Sequence, residues 1–181
     1  MANTPATPRT WVATNTLTAA QLNVDVRDNS DYVLTSKPNC RVYNSAAVSV
    51  SSGGSGTAIT FDSERYDKGS GSHSTSSNTS RLTVPTSCGG VYLIGANAIL
   101  AASASGTYRY MFFRLNGTTN IAFQTYPFSA SYNTHMNLTT AYTLAAGDYV
   151  EVFAQQDTGG AINITVQGNY SPEFWWIWQS T

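Results

Sequence analysis

After Cys40 the chain breaks into short alternating or apolar runs, each closed by a cluster of turn-forming residues. The runs span 41–50, 57–61, 80–84, 90–101, 107–116, 119–126, 136–144, 148–156, 161–167 and 173–179. Between them lie Ser-Ser-Gly-Gly-Ser-Gly (51–56), Gly-Ser-Gly (69–71), Asn116-Gly117, Ala-Ala-Gly147-Asp148 and Thr-Gly-Gly (158–160). Runs this short, punctuated this often and without a helical period, predict an all-β sandwich or jelly roll. Composition agrees. Only 10% of the 181 residues are charged, against about 25% in an average soluble domain. Helices need charged residues on their wet faces, whereas strands can use Thr, Ser and Tyr there. The 41% hydrophobic content suffices for one sizeable core.

A sandwich strand turns one face to the core and the other to water. Three runs break that rule. In the last, Phe174, Trp176 and Trp178 share one face while Trp175 and Ile177 share the other. In 107–116, Tyr108, Tyr110 and Phe112 oppose Met111, Phe113 and Leu115. In 90–101, Val91, Leu93 and Ile99 oppose Tyr92, Ile94, Ala98 and Leu100. A strand apolar on both faces must be covered twice, and a two-sheet domain covers it once. The simplest remedy is contact between identical copies, which a net charge of -1 does little to oppose, the other being cover by the N-terminal helix or a long loop.

The first 39 residues differ. Pro5 and Pro8 predict an extended leader, and Thr18-Ala-Ala-Gln21 fits a capping box opening a helix over 18–30. Leu22 and Val26 fall on one face, which Val33 continues, with Asp25 and Asp28 opposite. So short a helix is marginal alone and must pack on its own β domain or on a larger assembly. No Gly-X-Y tract, heptad run or internal repeat occurs, so the expected oligomer is held by the β domain. The expected division is an arm over 1–39 and a β domain over 40–181.

Several segments resemble the C1q-like (TNF-like) jelly-roll domain, in the variety found in bacteriophage and bacterial surface proteins. They are Ile59-Thr-Phe-Asp62-Ser-Glu-Arg-Tyr-Asp67, His73-Ser74, Arg81-Leu-Thr-Val-Pro85, Cys-Gly-Gly-Val-Tyr-Leu-Ile94 and Phe113-Arg-Leu-Asn-Gly117. Leu144-Ala-Ala-Gly-Asp-Tyr-Val-Glu-Val152 and Ser171-Pro-Glu-Phe174 complete the likeness, which covers about 41–181. The leader Thr10-Trp-Val-Ala-Thr-Asn-Thr-Leu-Thr-Ala-Ala-Gln-Leu-Asn23 is similar to the N-terminal segment of many phage virion proteins. The resemblance implies a ten-stranded jelly roll, a tight homotrimer and a role in binding. It also places the 173–179 strand near a threefold axis and the Tyr108/Tyr110 strand in an outer sheet. With the two-faced pattern, it gives an expected trimer interface of Tyr92, Phe174, Trp175, Trp176, Ile177 and Trp178. Trp11, Leu17, Leu22 and Val26 become the expected attachment to other virion proteins.

Catalytic signatures are lacking. His73 and His135 are the only histidines and stand in no metal-ligating or triad spacing; there is no Gly-x-Ser-x-Gly elbow, P-loop or dinucleotide fingerprint. No enzymatic activity and no cofactor are expected. Asp62 and Glu64 share a strand face and are the weak candidates for a metal, although Arg65 and Lys68 beside them favour ion pairing. An intersubunit pair through Arg81 is the other possibility. The loops 66–79, 127–135 and 157–161 combine Tyr, Ser, Asn and Gly as recognition loops do, and Tyr126, Phe128 and Tyr132 are the candidate contacts to a host glycan or protein.

No basic block points to nucleic acid, and the longest apolar run, 91–102, is too short to insert in a membrane. The opening MANTPATPRTW carries no apolar signal stretch. Synthesis in a cytoplasm is therefore expected, with Cys40 and Cys88 free or bridged and the Asn-x-Ser/Thr triplets unmodified, and the resemblance implies a host cytoplasm and residence in a virion. The readings that follow are a tail, fibre or tail-tip trimer for host attachment, a trimeric capsid decoration protein held by its arm, and a soluble bacterial lectin.

Overall fold

The computed structural model of the protein describes residue 7 and residues 9–69 and 71–180. The leader expected at Pro5 and Pro8 lies outside the described residues. Among the described residues the chain forms twelve strands. The first six are β1 (Asn39–Tyr43), β2 (Val48–Val50), β3 (Thr57–Ala58), β4 (Ser63–Lys68), β5 (Arg81–Thr83) and β6 (Gly90–Leu100). Then come β7 (Arg109–Leu115), β8 (Thr119–Tyr126), β9 (Thr134–Leu144), β10 (Tyr149–Gln156), β11 (Ile162–Ile164) and β12 (Glu173–Ser180).

One sheet runs β2-β11-β6-β12-β1-β4, with β9 also pairing β6. The other runs β3-β10-β7-β8, with β5 on β10. The first strand pairs with the last, Cys40 opposite Trp176, and all named pairs are antiparallel. From β2 to β7 and from β8 to β11 successive strands pass between the two sheets, and the two-sheet β sandwich expected from the runs is a jelly roll, as the resemblance implied.

Two boundaries depart from expectation. The 41–50 run is two strands, because Asn44 turns the chain and donates to the Thr60 carbonyl at 2.7 Å. Ser63–Lys68 has no apolar alternation, yet it forms β4, a polar edge strand held by its ladder to β1. The β7–β8 hairpin turns at Asn116-Gly117, with φ of 49° and 71°. Two successive positive φ values require the Asn-Gly pair that the sequence supplies.

The core lies between the sheets. Phe174, Trp176 and Trp178 of β12 point inward with Tyr92 and Ile94 of β6, Val42 of β1 and Phe113 of β7. Tyr92 and Trp176 pack at 4.8 Å between ring centroids, and Phe113 and Phe174 at 5.8 Å. Their polar tips are satisfied inside the chain: the Tyr92 hydroxyl donates to the Cys88 carbonyl and Trp176 Nε1 to Ser72 Oγ. Trp178 Nε1 donates to the Gly89 carbonyl. Each such side chain contributes about 2–3 kcal/mol by burial. This corrects the interface expected at Tyr92, Phe174, Trp176 and Trp178: one copy of the chain buries all four. Cys40 and Cys88 are both buried and unbridged.

The N-terminal helix forms and runs past residue 30. It comprises α1 (Ala19–Leu22), wide π turns over Asn23–Asp28, α2 (Asn29–Asp31) and further π turns over Tyr32–Ser36. The capping box is present, with Gln21 N donating to Thr18 Oγ1 and Thr18 N to Gln21 Oε1. Tyr32, 3% exposed, is the segment's buried residue, set edge-on to Trp178 at 6.1 Å. Leu22, Val26, Val33 and Leu34 stay exposed. The β domain therefore anchors the base of the helix and leaves its apolar side uncovered. Among the described residues no helix is long and apolar enough to cross a membrane.

Candidate functional site

The outward face of the β6/β12 sheet carries the residue surplus. Trp175, Ile177, Leu93 and Val91 are half-buried there, with Trp175 opposite Gly95 and Ile177 opposite Leu93. The Trp175 indole lies over Gly95, where a Cβ would overlap its Cε2, Cζ2 and Cη2 atoms. Of the six interface residues expected, Trp175 and Ile177 are the two on this outer face.

Beside them Glu173 is fully buried and holds two arginines. Arg41 Nε donates to Oε2, and Arg65 donates to Oε1 through Nε at 3.0 Å and a terminal nitrogen at 2.9 Å. Arg65 also stacks on Tyr43, its guanidinium carbon 3.9 Å from the ring centroid. Two cations on one carboxylate leave a surplus positive charge on this face.

The outward face of β7 is covered differently. Tyr108 and Tyr110 stack at 4.2 Å, Tyr110 meets Phe123 at 4.9 Å, and Phe112 stacks on Phe153 at 5.2 Å. Arg114 closes the row, 4.2 Å from the Phe153 centroid and 5.1 Å from Phe112. Rings from β7, β8 and β10 cover part of this face, and Phe123 remains 50% exposed.

Tyr126, Phe128 and Tyr132, the residues expected to meet a ligand, lie at and just beyond the end of β8. The Tyr126 hydroxyl donates to the Asn137 carbonyl and accepts from Asn137 N, tying the edges of the two sheets together. Burial raises the Tyr126 pKa against the opposing effect of that hydrogen bond. Tyr126 is thus a structural bridge as well as a rim residue. Phe128 lies over the buried Arg109 guanidinium at 5.8 Å, and Tyr132 is 78% exposed. Tyr126 and Phe128 line a surface dip of about 300 Å³ that includes His135. His135 also lines a smaller dip of about 160 Å³ with Asn97, Ile99, Asn137 and Tyr170.

Sequence reading did not single out Asn97, Asn137 and Tyr170 as neighbours in this dip. The available signal was Asn97 itself, the single amide within an otherwise apolar run. Its partner Asn137 is adjacent only through the β6–β9 register.

The acidic cluster separates. Asp62 accepts from Ser45 N at 3.0 Å and Ser45 Oγ at 2.7 Å; burial raises its pKa, but these donors outweigh burial and lower it. Glu64 faces His73 Nδ1 at 3.0 Å, and the buried His73 ring also meets the Thr79 carbonyl through Nε2. Arg65 turns to Glu173 and Arg81 to Glu151 of its own chain. Among the described residues no group of three metal-ligating side chains converges. At the other end of the chain Trp11, Leu17, Leu22 and Val26 are exposed, with Arg9 over Trp11 and paired to Asp25.

No protein-family model and no curated protein matches the chain. Solved structures do match in fold. The crystal structure of murine APRIL at pH 5.0 aligns with a TM-score of 0.57 at 9% identity, covering 79% of this chain and 99% of that one. The globular domain of zebrafish complement 1qA protein aligns with a TM-score of 0.53 at 14% identity, covering 80% and 100%. The fold is a C1q/TNF-like jelly roll.

Proposed function

We propose that the chain is a homotrimeric virion structural protein of a tail, fibre or tail tip, which contributes to host-surface attachment and catalyses no reaction. The carrying observation is the row Trp175, Ile177, Leu93 and Val91, which the chain's own layers leave on an outer sheet face. Copies packed about a threefold axis would cover that row, and the jelly-roll fold supports this reading. The arm over 1–39 joins the trimer to other virion proteins through Trp11, Leu17, Leu22 and Val26, all exposed. The β domain over 40–181 presents Tyr126, Phe128 and Tyr132 to a host glycan or protein. Synthesis takes place in the host cytoplasm.

Mass determination in solution tests the assembly: three copies are expected, and a stable single-copy species with shielded Trp175 would sink the reading. Deleting residues 1–39 is expected to leave the trimer intact while abolishing incorporation into the particle. Native particle imaging then separates locations, since density over the capsid lattice would assign the decoration role instead.

A further inference from the structure

The segment between β4 and β5 is drawn into one end of the sandwich. Ser72, 2% exposed, accepts from Trp176 Nε1 of the core through its hydroxyl and from Thr83 N through its carbonyl. His73 N donates to Asp67 Oδ2 at 3.0 Å, and the His73 side chain is fully buried. Gly71 and Asn78, with φ of 71° and 49°, bracket the segment. Glycine and asparagine hold such angles at the least cost.

The His73 ring stands between two acceptors. Nδ1 lies 3.0 Å from Glu64 Oε1, and Nε2 lies 3.2 Å from the Thr79 carbonyl, which also accepts from Phe61 N at 3.0 Å. A carbonyl can only accept, and so can an ionised carboxylate. A neutral imidazole carries one N–H, so either tautomer sets a ring lone pair against an oxygen lone pair. One further proton removes the conflict, whether it sits on Nδ1 or on the Glu64 carboxyl, because both contacts are then hydrogen bonds. The arrangement is complete only while the pair holds that proton.

The other ionisable groups on this side of the ring are Asp67 of β4 and, across the β1–β4 ladder from it, Cys40. Arg65 and Arg81 are turned to Glu173 and Glu151, so neither takes the place of the proton at Glu64.

We propose that Glu64 and His73 form a proton-operated latch on the segment 71–79. With the shared proton the segment is closed; without it the segment swings out on Gly71 and Asn78. The closed form binds one proton more than the open form, so closure is favoured as pH falls and is lost as pH rises. The latch lies within one chain and is independent of the attachment reading.

The test is amide hydrogen exchange of the intact protein from about pH 5.5 to about pH 8.5, the span over which histidines change charge. Each rate is divided by that of an unstructured chain at the same pH. Protection of the Phe61, His73 and Thr83 amides is expected to fall about tenfold across that span, while Ile94, central in β6, keeps its protection. Glu64→Gln replaces the carboxylate by an amide that donates to Nδ1, so a neutral ring with its proton on Nε2 satisfies both contacts. That variant is expected to keep the segment protected at every pH, and His73→Ala to leave it at the low alkaline level at every pH. Protection independent of pH in the parent, an equal fall in Glu64→Gln, or a pH dependence that survives in His73→Ala overturns the latch.

Discussion

Trp175 rests flat against the backbone of Gly95, one strand over, and no other residue fits beneath it. The contact depends on the absence of a side chain at 95, since a single methyl would enter the space of the indole. Gly95→Ala should therefore lift Trp175 from the sheet and cost about 1–3 kcal/mol, the range for overpacking. A shift in tryptophan fluorescence and a lower urea midpoint at unchanged slope check this. An unchanged spectrum and midpoint would show that the indole lies elsewhere.

Glu173→Gln should destabilise the fold. The substitution leaves Arg41 and Arg65 facing an uncharged amide in place of the carboxylate they share. Breaking a fully buried pair costs about 3–5 kcal/mol. Both arginines remain about a third open to water, so the expected loss is smaller, about 2 kcal/mol. Chemical denaturation of the two proteins side by side provides the measurement.

Two aspartates give stability opposite slopes with pH. Asp157 accepts from Thr107 N, Thr107 Oγ1 and Tyr108 N, and although burial raises its pKa these donors lower it overall. Its contribution is present above the unfolded carboxyl pKa of about 4 and is lost as pH falls through its lower folded value. Asp67 is the reverse: burial holds its pKa up despite the amides of His73 and Ser72. Its contribution is full below about pH 4 and is lost as pH rises through the higher folded value. Asp67→Asn should accordingly flatten the stability profile just above that pH, and Asp157→Asn just below it, in thermal melts across the acid range. Coincident profiles for either variant and the parent would contradict the assignment.

Cys40 and Cys88 should be silent toward a thiol reagent in the native protein. Burial, followed by the nearby Asp67 and Glu64 carboxylates, pushes the Cys40 thiol pKa up, and burial raises that of Cys88. Neither presents a thiolate at neutral pH. Both thiols should react on denaturation, which a colorimetric count with and without urea measures. Rapid reaction of either in the folded protein would place it at the surface.

Much of the fold was legible because turn residues and alternation act locally. Asn116-Gly117 dictates a hairpin wherever it sits between strands, and Thr18 with Gln21 caps a helix from within four residues. The polar strand Ser63–Lys68 was not legible, since only its ladder to β1 makes it a strand. The candidate site was half legible: Tyr126, Phe128 and Tyr132 mark the loop end by composition, whereas Asn97, Asn137 and Tyr170 share no local signal.

By itself, the sequence determined an all-β sandwich or jelly roll and the aromatic excess in 90–101, 107–116 and 173–179, because periodicity and turn chemistry are properties of neighbouring residues. Only the tertiary structure decided where that excess goes. Tyr108 stacks on Tyr110, which meets Phe123 of β8, Phe174 and Trp176 fill the core, and Trp175 is left outside on Gly95. The reason is register: which faces meet depends on pairings between residues as distant as Cys40 and Trp176, and local preferences do not reach that far.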